Sequence, residues 1–354
     1  MPSTNDVPPS LGVALDIDLE HRPDALLAVA MLNGLHAKNE AERISLSVSR
    51  PSLTIARLAD VIAEFYSVLP VNGGFSTIGM PDGAPPAQDA PALAAVLSRK
   101  NADGTPLYVS NVRRLVDTAD SAVLTRNLLL AQPDGNAVIV LAGPPTGLAR
   151  LLGLYGARQQ LVAKVKHLVL AAGAFPNGAV EPSIAADVAA ARQLLSEWPT
   201  PLVAVGAEVG EALRYPAARL EEGLAWSAVH PVAAAYRALR TMPYDAPTTA
   251  LAALLYAVHP EGGYFKLSEP GTIAVLADGR TRFTPGPSGR HRYLIADPAQ
   301  KERLLATYLS LVSAEPVPRP VRFKPPPAAA PPPAAPAAPA GVAGSTAASP
   351  RGEP

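Results

Sequence analysis

The chain has 354 residues, 48% hydrophobic and only 17% charged, with Lys plus Arg and Asp plus Glu at 30 each and no cysteine. A chain of this kind is mostly globular and long enough for one large core or two smaller ones. The charge balance argues against nucleic acid or an anionic membrane as partner, and the lack of cysteine excludes disulfides, thiolate metal sites and a cysteine nucleophile.

Residues 1–10 are polar and proline-rich, without the basic start and apolar stretch of a secretory signal, and are expected to be flexible. No run reaches the roughly 20 apolar residues that span a bilayer. A soluble, cytoplasmic protein is therefore expected.

Strands and helices then alternate. "LGVALDID" reads as a strand, and "PDALLAVAMLNGLHAKN" as a helix that starts near Pro23, a residue suited to a first helical position. "RISLSVS" is a second strand and "LTIARLADVIAEFYSVL" its helix. A Gly- and Pro-rich loop leads to the helix near "DSAVLTRNLLLAQ", the strand "NAVIVLAG" and the helix "TGLARLLGLY". "VKHLVLAAGAF" is a strand, "SIAADVAAARQLLSEW" one helix, and "TPLVAVGAE" a further strand. Strands apolar on both faces and separated by helices indicate an α/β fold, with a mostly parallel sheet covered on both sides. Near the end, "AVLADGRTRFTP" predicts a short two-stranded β appendage with an Asp-Gly turn.

This body is read as one domain over residues 11–314. From Glu315 the sequence is almost entirely Pro, Ala, Gly and Ser. Residues 315–354 are accordingly expected to be a disordered, partly polyproline tail.

Ligands of such sheets bind beyond the carboxyl ends of the strands. Asp16 and Asp18 stand at one such end; residues 143–146, the "AAGAFPNGAVEPS" loop and Glu208 stand at others. Crowded acids repel one another and resist desolvation. Asp16, Asp18, Glu20 and Asp24 thus read either as solvated loop carboxylates with one acid facing a helix dipole, or as groups gathered around a cation.

The early Asp-x-Asp, followed by "VLAGPPTGLARLL" and "VKHLVLAAGAFPNGAVEPSIAADVAAA", resembles the inosine- and uridine-preferring nucleoside hydrolases. Their corresponding stretches run D-x-D-x-G-x-D-D, G-P-L-T-N, and G-G-x-x-x-x-G-N followed by E-x-N. The resemblance covers most of residues 11–312, and the closing segments look like a bacterial branch. It implies hydrolysis of the N-glycosidic bond of ribonucleosides at one Ca²⁺, which places and acidifies a water that an Asp activates.

The resemblance makes Asp18 both the catalytic residue and a metal ligand. Asp24 and the Thr146 carbonyl become the other metal ligands, and Asp16, Asn177, Glu181 and Ser183 the substrate-binding residues. Several positions depart from the pattern. Leu19 and Glu20 follow the second Asp where a glycine is usual. Asp24 stands alone for a pair, and Gly147 replaces an Asn. Ser183 replaces another Asn, and Ala250 stands where a last carboxylate ligand is expected. Alanine cannot bind calcium.

Two functions follow. One is a divergent nucleoside hydrolase with a reduced calcium site. The other is an inactive member of the fold that serves as a nucleoside- or ribose-binding or protein-interaction module. Arg22 or His21 could supply the cation in place of calcium, and Glu20 could act as a substitute ligand. His230 reads first as a histidine at a loop-to-helix junction and second as an acid for a departing base. A nucleoside or ribose-like small molecule is the expected partner, with homo-oligomer formation left open.

Overall fold

The computed structural model describes residues 10–67, 77–82, 90–176 and 178–317. The N-terminal segment, the Pro/Ala-rich tail and Asn177 thus lie outside the described residues, apart from Ser10 and residues 315–317.

The strands are β1 (Leu11–Ile17), β2 (Ala41–Val48), β3 (Ile78–Met80), β4 (Ala119–Asp120), β5 (Ala137–Ala142), β6 (Val165–Leu170), β7 (Leu202–Ala204), β8 (Phe265–Leu267), β9 (Gly271–Val275), β10 (Thr281–Pro285) and β11 (His291–Ala296). The first helices are α1 (Pro23–Ala37), α2 (Leu53–Phe65), α3 (Pro91–Leu97), α4 (Ser121–Leu130), α5 (Thr146–Gly153) and α6 (Ala157–Lys164). They are followed by α7 (Pro182–Ala186), α8 (Val188–Glu197), α9 (Ala207–Ala212), α10 (Ala217–Gly223), α11 (Pro231–Leu239), α12 (Thr249–Val258) and α13 (Lys301–Val312).

One sheet runs in the order β10-β9-β11-β7-β6-β5-β1-β2-β3-β4, with β8 paired to β11. From β11 through β7, β6, β5, β1, β2 and β3 to β4 every pairing is parallel, and β9 pairs antiparallel with β10 and β11. The α/β reading of the alternation is therefore what the fold shows. The side-chain period of a strand divides each one between two cores. Val13, Leu15 and Ile17 of β1 join Val138 and Val140 of β5 in the core under α1, α2 and α12. Ala14, Ile139 and Leu141 point the other way, into the core under α5 and α8.

Helix α1 is buried on nearly every side, which suits its almost continuous apolar sequence. Its outer surface is covered by α11, α12 and α13. The Asp-Gly hairpin forms between β9 and β10, with Gly279 at φ 85°, a backbone conformation that glycine adopts without strain.

The expected two-stranded element near the end is present, and the pairing of β9 with β11 joins it to the main sheet. One reading of the sequence is corrected. The single helix read in "SIAADVAAARQLLSEW" is two, α7 and α8, broken at Asp187, whose carboxylate caps α8 by accepting from the Ala190 amide at 3.0 Å. No helix among the described residues is long and apolar enough to cross a membrane.

Candidate functional site

Because β1, β5, β6 and β7 run parallel, their carboxyl ends share one edge of the sheet. Asp16 and Asp18 end β1; Thr146, Glu181 and Glu208 follow β5, β6 and β7 on that same edge. The register fixes the neighbours of the two aspartates. Ile17 lies opposite Val48 of β2 and Ala142 of β5, so Ser49 and Gly143 flank Asp18. The Ser49 amide donates to the Ile17 carbonyl at 2.8 Å and the Asp18 amide to the Ala142 carbonyl at 3.0 Å.

Asp16 is buried, and its Oδ1 accepts from the Ser49 hydroxyl at 2.6 Å. Burial raises its pKa to about 7, against the lowering effect of the Ser49 bond and with a further rise from Asp18 nearby. Gly147 belongs to the same packing. A Cβ there would stand 2.7 Å from the Ser121 hydroxyl and 3.2 Å from Asp16 Oδ2, so a side chain at 147 requires both neighbours to shift.

Asp18 is engaged by the chain itself. Arg50 Nε donates to its Oδ2 at 2.9 Å, and His21 Nδ1 lies 3.1 Å from Oδ1. The amides of Glu20 and His21 both donate to Oδ1 at 3.2 Å. Burial alone would raise the Asp18 pKa, but the bonds and charges of His21 and Arg50 outweigh it and hold the carboxyl at about 2. The reciprocal effect raises the pKa of His21, chiefly through its hydrogen bond to Asp18.

Asp24, buried in the first turn of α1, faces Arg22. Arg22 Nε donates to Asp24 Oδ1 at 3.4 Å and Nη2 to Oδ2 at 3.2 Å, while Nη1 donates to the carbonyl of Ala171 just beyond β6. From α12, the Ala250 amide donates to Asp24 Oδ2 at 2.7 Å. Burial disfavours the Arg22 charge, yet Asp24, Glu181 and Asp18 together make the guanidinium harder to deprotonate than usual.

Glu181 caps α7 by accepting from the Ile184 amide at 2.9 Å. Burial raises its pKa, moderated by Arg22 and by the buried Ser183. Thr146 donates its hydroxyl to Asp187 Oδ2 at 2.7 Å and opens α5, where its carbonyl belongs to the helical ladder. Glu208 accepts from the Phe175 amide at 3.2 Å.

The edge thus gathers Asp18 and Asp24, each bonded to an arginine, beside Asp16 on Ser49, with Glu181 close to Arg22. Sequence reasoning missed Ser49 and Arg50. Their only signal was "SVSRP" directly after the second strand, which carries weight once β2 is known to lie beside β1.

His230 lies elsewhere in the fold, buried among Phe65, Tyr66 and Trp226, with Nε2 3.1 Å from the Tyr66 hydroxyl. Burial, aided by Arg237, lowers its pKa to about 4. It is held neutral at the junction before α11.

The fit of a calcium ion can be judged from these donors. Calcium takes six to eight oxygens at about 2.3–2.6 Å. Here the oxygens of Asp18 and Asp24 are directed at guanidinium, imidazole and amide donors. No group of three or more His, Asp or Glu side chains among the described residues is arranged to hold a metal. The residues do not fit the ion.

No protein-family model matches the sequence, and no curated protein does. Solved structures do. A purine-preferring ribonucleoside hydrolase from Gardnerella vaginalis superposes with a TM-score of 0.62 at 17% identity, over 85% of this chain and 98% of that one. An inosine-uridine preferring nucleoside hydrolase from Bacillus anthracis gives 0.62 at 15% identity, over 86% and 99%. The type III effector XopQ, complexed with adenosine diphosphate ribose, gives 0.55 at 16% identity, over 87% and 94%. At these identities the likeness is one of fold, and that fold is the nucleoside hydrolase fold.

Proposed function

We propose that this protein, built on the nucleoside hydrolase fold, binds a nucleoside or another ribose-bearing small molecule at the carboxyl edge of its sheet without hydrolysing the N-glycosidic bond. The observation that carries the second half is the state of Asp18. A general base works best with a pKa near the operating pH. A carboxylate held at about 2 by Arg50 and His21 has little drive to take a proton from water. Glu181 does not stand in for it, because its Oε2 caps α7, and Asp16, bonded to Ser49 through Oδ1, is read as the group that meets the ligand.

Support for a ribose ligand comes from two sides. The solved structures of this fold include enzymes named for ribonucleosides and one complexed with adenosine diphosphate ribose. The edge itself offers buried carboxyl groups of differing protonation. Asp16, with a pKa of about 7, both accepts and donates near neutral pH, which matches the two-way bonding of a sugar hydroxyl.

The test is a paired measurement on the full chain. Titration calorimetry with inosine, uridine and adenosine diphosphate ribose is expected to show saturable binding of at least one. A reducing-sugar assay with inosine and uridine, with and without added calcium, is expected to stay at background. Release of ribose at enzymatic rates overturns the non-hydrolytic reading, and failure of all three ligands to bind overturns the ribose-site reading.

A further inference from the structure

We infer that Arg22 and Arg50 are the resident cations of this edge, built-in replacements for a divalent metal, so that the carboxylates Asp18 and Asp24 are neutralised by the chain itself. The two guanidinium groups carry the two positive charges that one calcium ion would bring, and arginine keeps its charge at any ordinary pH.

Three features of the geometry support this. Each arginine bonds a different buried aspartate, Arg50 reaching Asp18 and Arg22 reaching Asp24. Arg22 is only 14% exposed, and it turns inward from the residue before α1 to reach the Ala171 carbonyl beyond β6. That arrangement bridges a carboxylate and a main-chain carbonyl, the kind of oxygen pair a hard cation would join. Finally, the Ala250 amide donates to Asp24 Oδ2 at 2.7 Å, which brings position 250 up against Asp24 with a methyl side chain that offers no oxygen to an ion.

This inference rests on the non-hydrolytic reading above, but the two fail separately. Inosine hydrolysis without calcium would end that reading and leave this one standing, whereas stoichiometric calcium binding by a silent protein would do the reverse.

The experiment is calorimetric titration of CaCl₂ into the full chain, with melting temperatures taken in calcium and in chelator. Wild type is expected to give no saturable heat and no calcium-dependent shift. Arg22→Ala frees the Asp24 carboxylate and the Ala171 carbonyl, and is expected to melt lower than wild type and to regain part of the loss with calcium. Adding Ala250→Asp to Arg22→Ala is expected to tighten calcium binding by at least about tenfold, since ligand charge sets affinity in such sites. Arg22→Lys keeps a charge in place and is expected to stay insensitive to calcium. If Arg22→Ala does not fold in chelator, recovery of folded protein on refolding with CaCl₂ supports the inference, and no recovery overturns it. One calcium bound tightly by wild type overturns it, as does an Arg22→Ala variant whose melting calcium leaves unmoved.

Discussion

The Arg22 guanidinium and the Asp24 carboxylate, two residues apart in sequence, meet with Nη2 3.2 Å from Oδ2 at the start of α1, both largely withdrawn from solvent. Removing one member of a buried pair strands the other charge. Asp24→Asn leaves Arg22 with Ala171 and the more distant Glu181. It is expected to lower unfolding free energy by about 3 kcal/mol in urea titrations. A loss below about 1 kcal/mol, the range of exposed pairs, would show that the guanidinium is already satisfied by other partners.

Gly147 tests the packing behind Asp16. The nucleoside hydrolase motif has Asn at this position, but a Cβ here would meet the Ser121 hydroxyl at 2.7 Å and Asp16 Oδ2 at 3.2 Å. Gly147→Asn is therefore expected to destabilise by about 1–3 kcal/mol, as overpacked sites do. Combining Gly147→Ala with Ser121→Gly should cost less than Gly147→Ala alone. Equal melting of Gly147→Asn and wild type would mean the loop after β5 yields freely.

His230 should impose an acid limb on stability. Its folded pKa, about 4, lies below the unfolded value of 6.5, so the unfolded chain binds more protons between those values. Its contribution is fully present above pH 6.5 and is lost as pH falls from 6.5 toward 4, up to about 3 kcal/mol in all. The shift of Asp16 has the opposite sign. Its folded pKa of about 7 exceeds 3.8, so its contribution declines as pH rises from 3.8 to 7. Comparison with His230→Phe isolates the histidine. The stability difference between wild type and variant should move in favour of wild type as pH rises from 4 to 6.5, and a difference flat across that window would sink the assignment.

Asp18 acts lower on the scale. Its folded pKa is about 2 against 3.8, so its stabilisation is present above pH 3.8 and lost as pH falls from there toward 2. The full difference corresponds to about 2 kcal/mol. Arg50→Gln removes one of its charged partners and should shrink that acid-dependent loss, measured as the stability difference between pH 5 and pH 3. An unchanged loss would assign the low pKa to His21 and the amides alone.

The Pro/Ala-rich tail gives a prediction from composition. Helix α13 ends at Val312 against the buried α1, and truncation after Val317 keeps every described element. The melting temperature is expected to stay within about 1 °C of the full chain, as for a segment outside the packed core. A fall of several degrees would show that the tail docks on the body.

Much of the fold was legible because the physics that specifies it is local. Apolar runs such as "NAVIVLAG" separated by amphipathic stretches demand strands covered on both faces, and the acids after β1 stood out because they interrupt such a run. The break at Asp187 was less visible, since capping competes with helix continuation over one or two residues. Arg22 and His21 could be named as candidate cations because they lie in the acidic loop itself. What the sequence could not say is which partners meet there. Arg50 reaches Asp18 because β2 lies beside β1, Arg22 reaches a carbonyl 149 residues away, and Asp24 accepts from an amide 226 residues away. Periodicity tells which face a residue takes, but only the order and register of the strands decide its neighbours. At this edge those neighbours turn an acidic cluster into a set of arginine-held carboxylates.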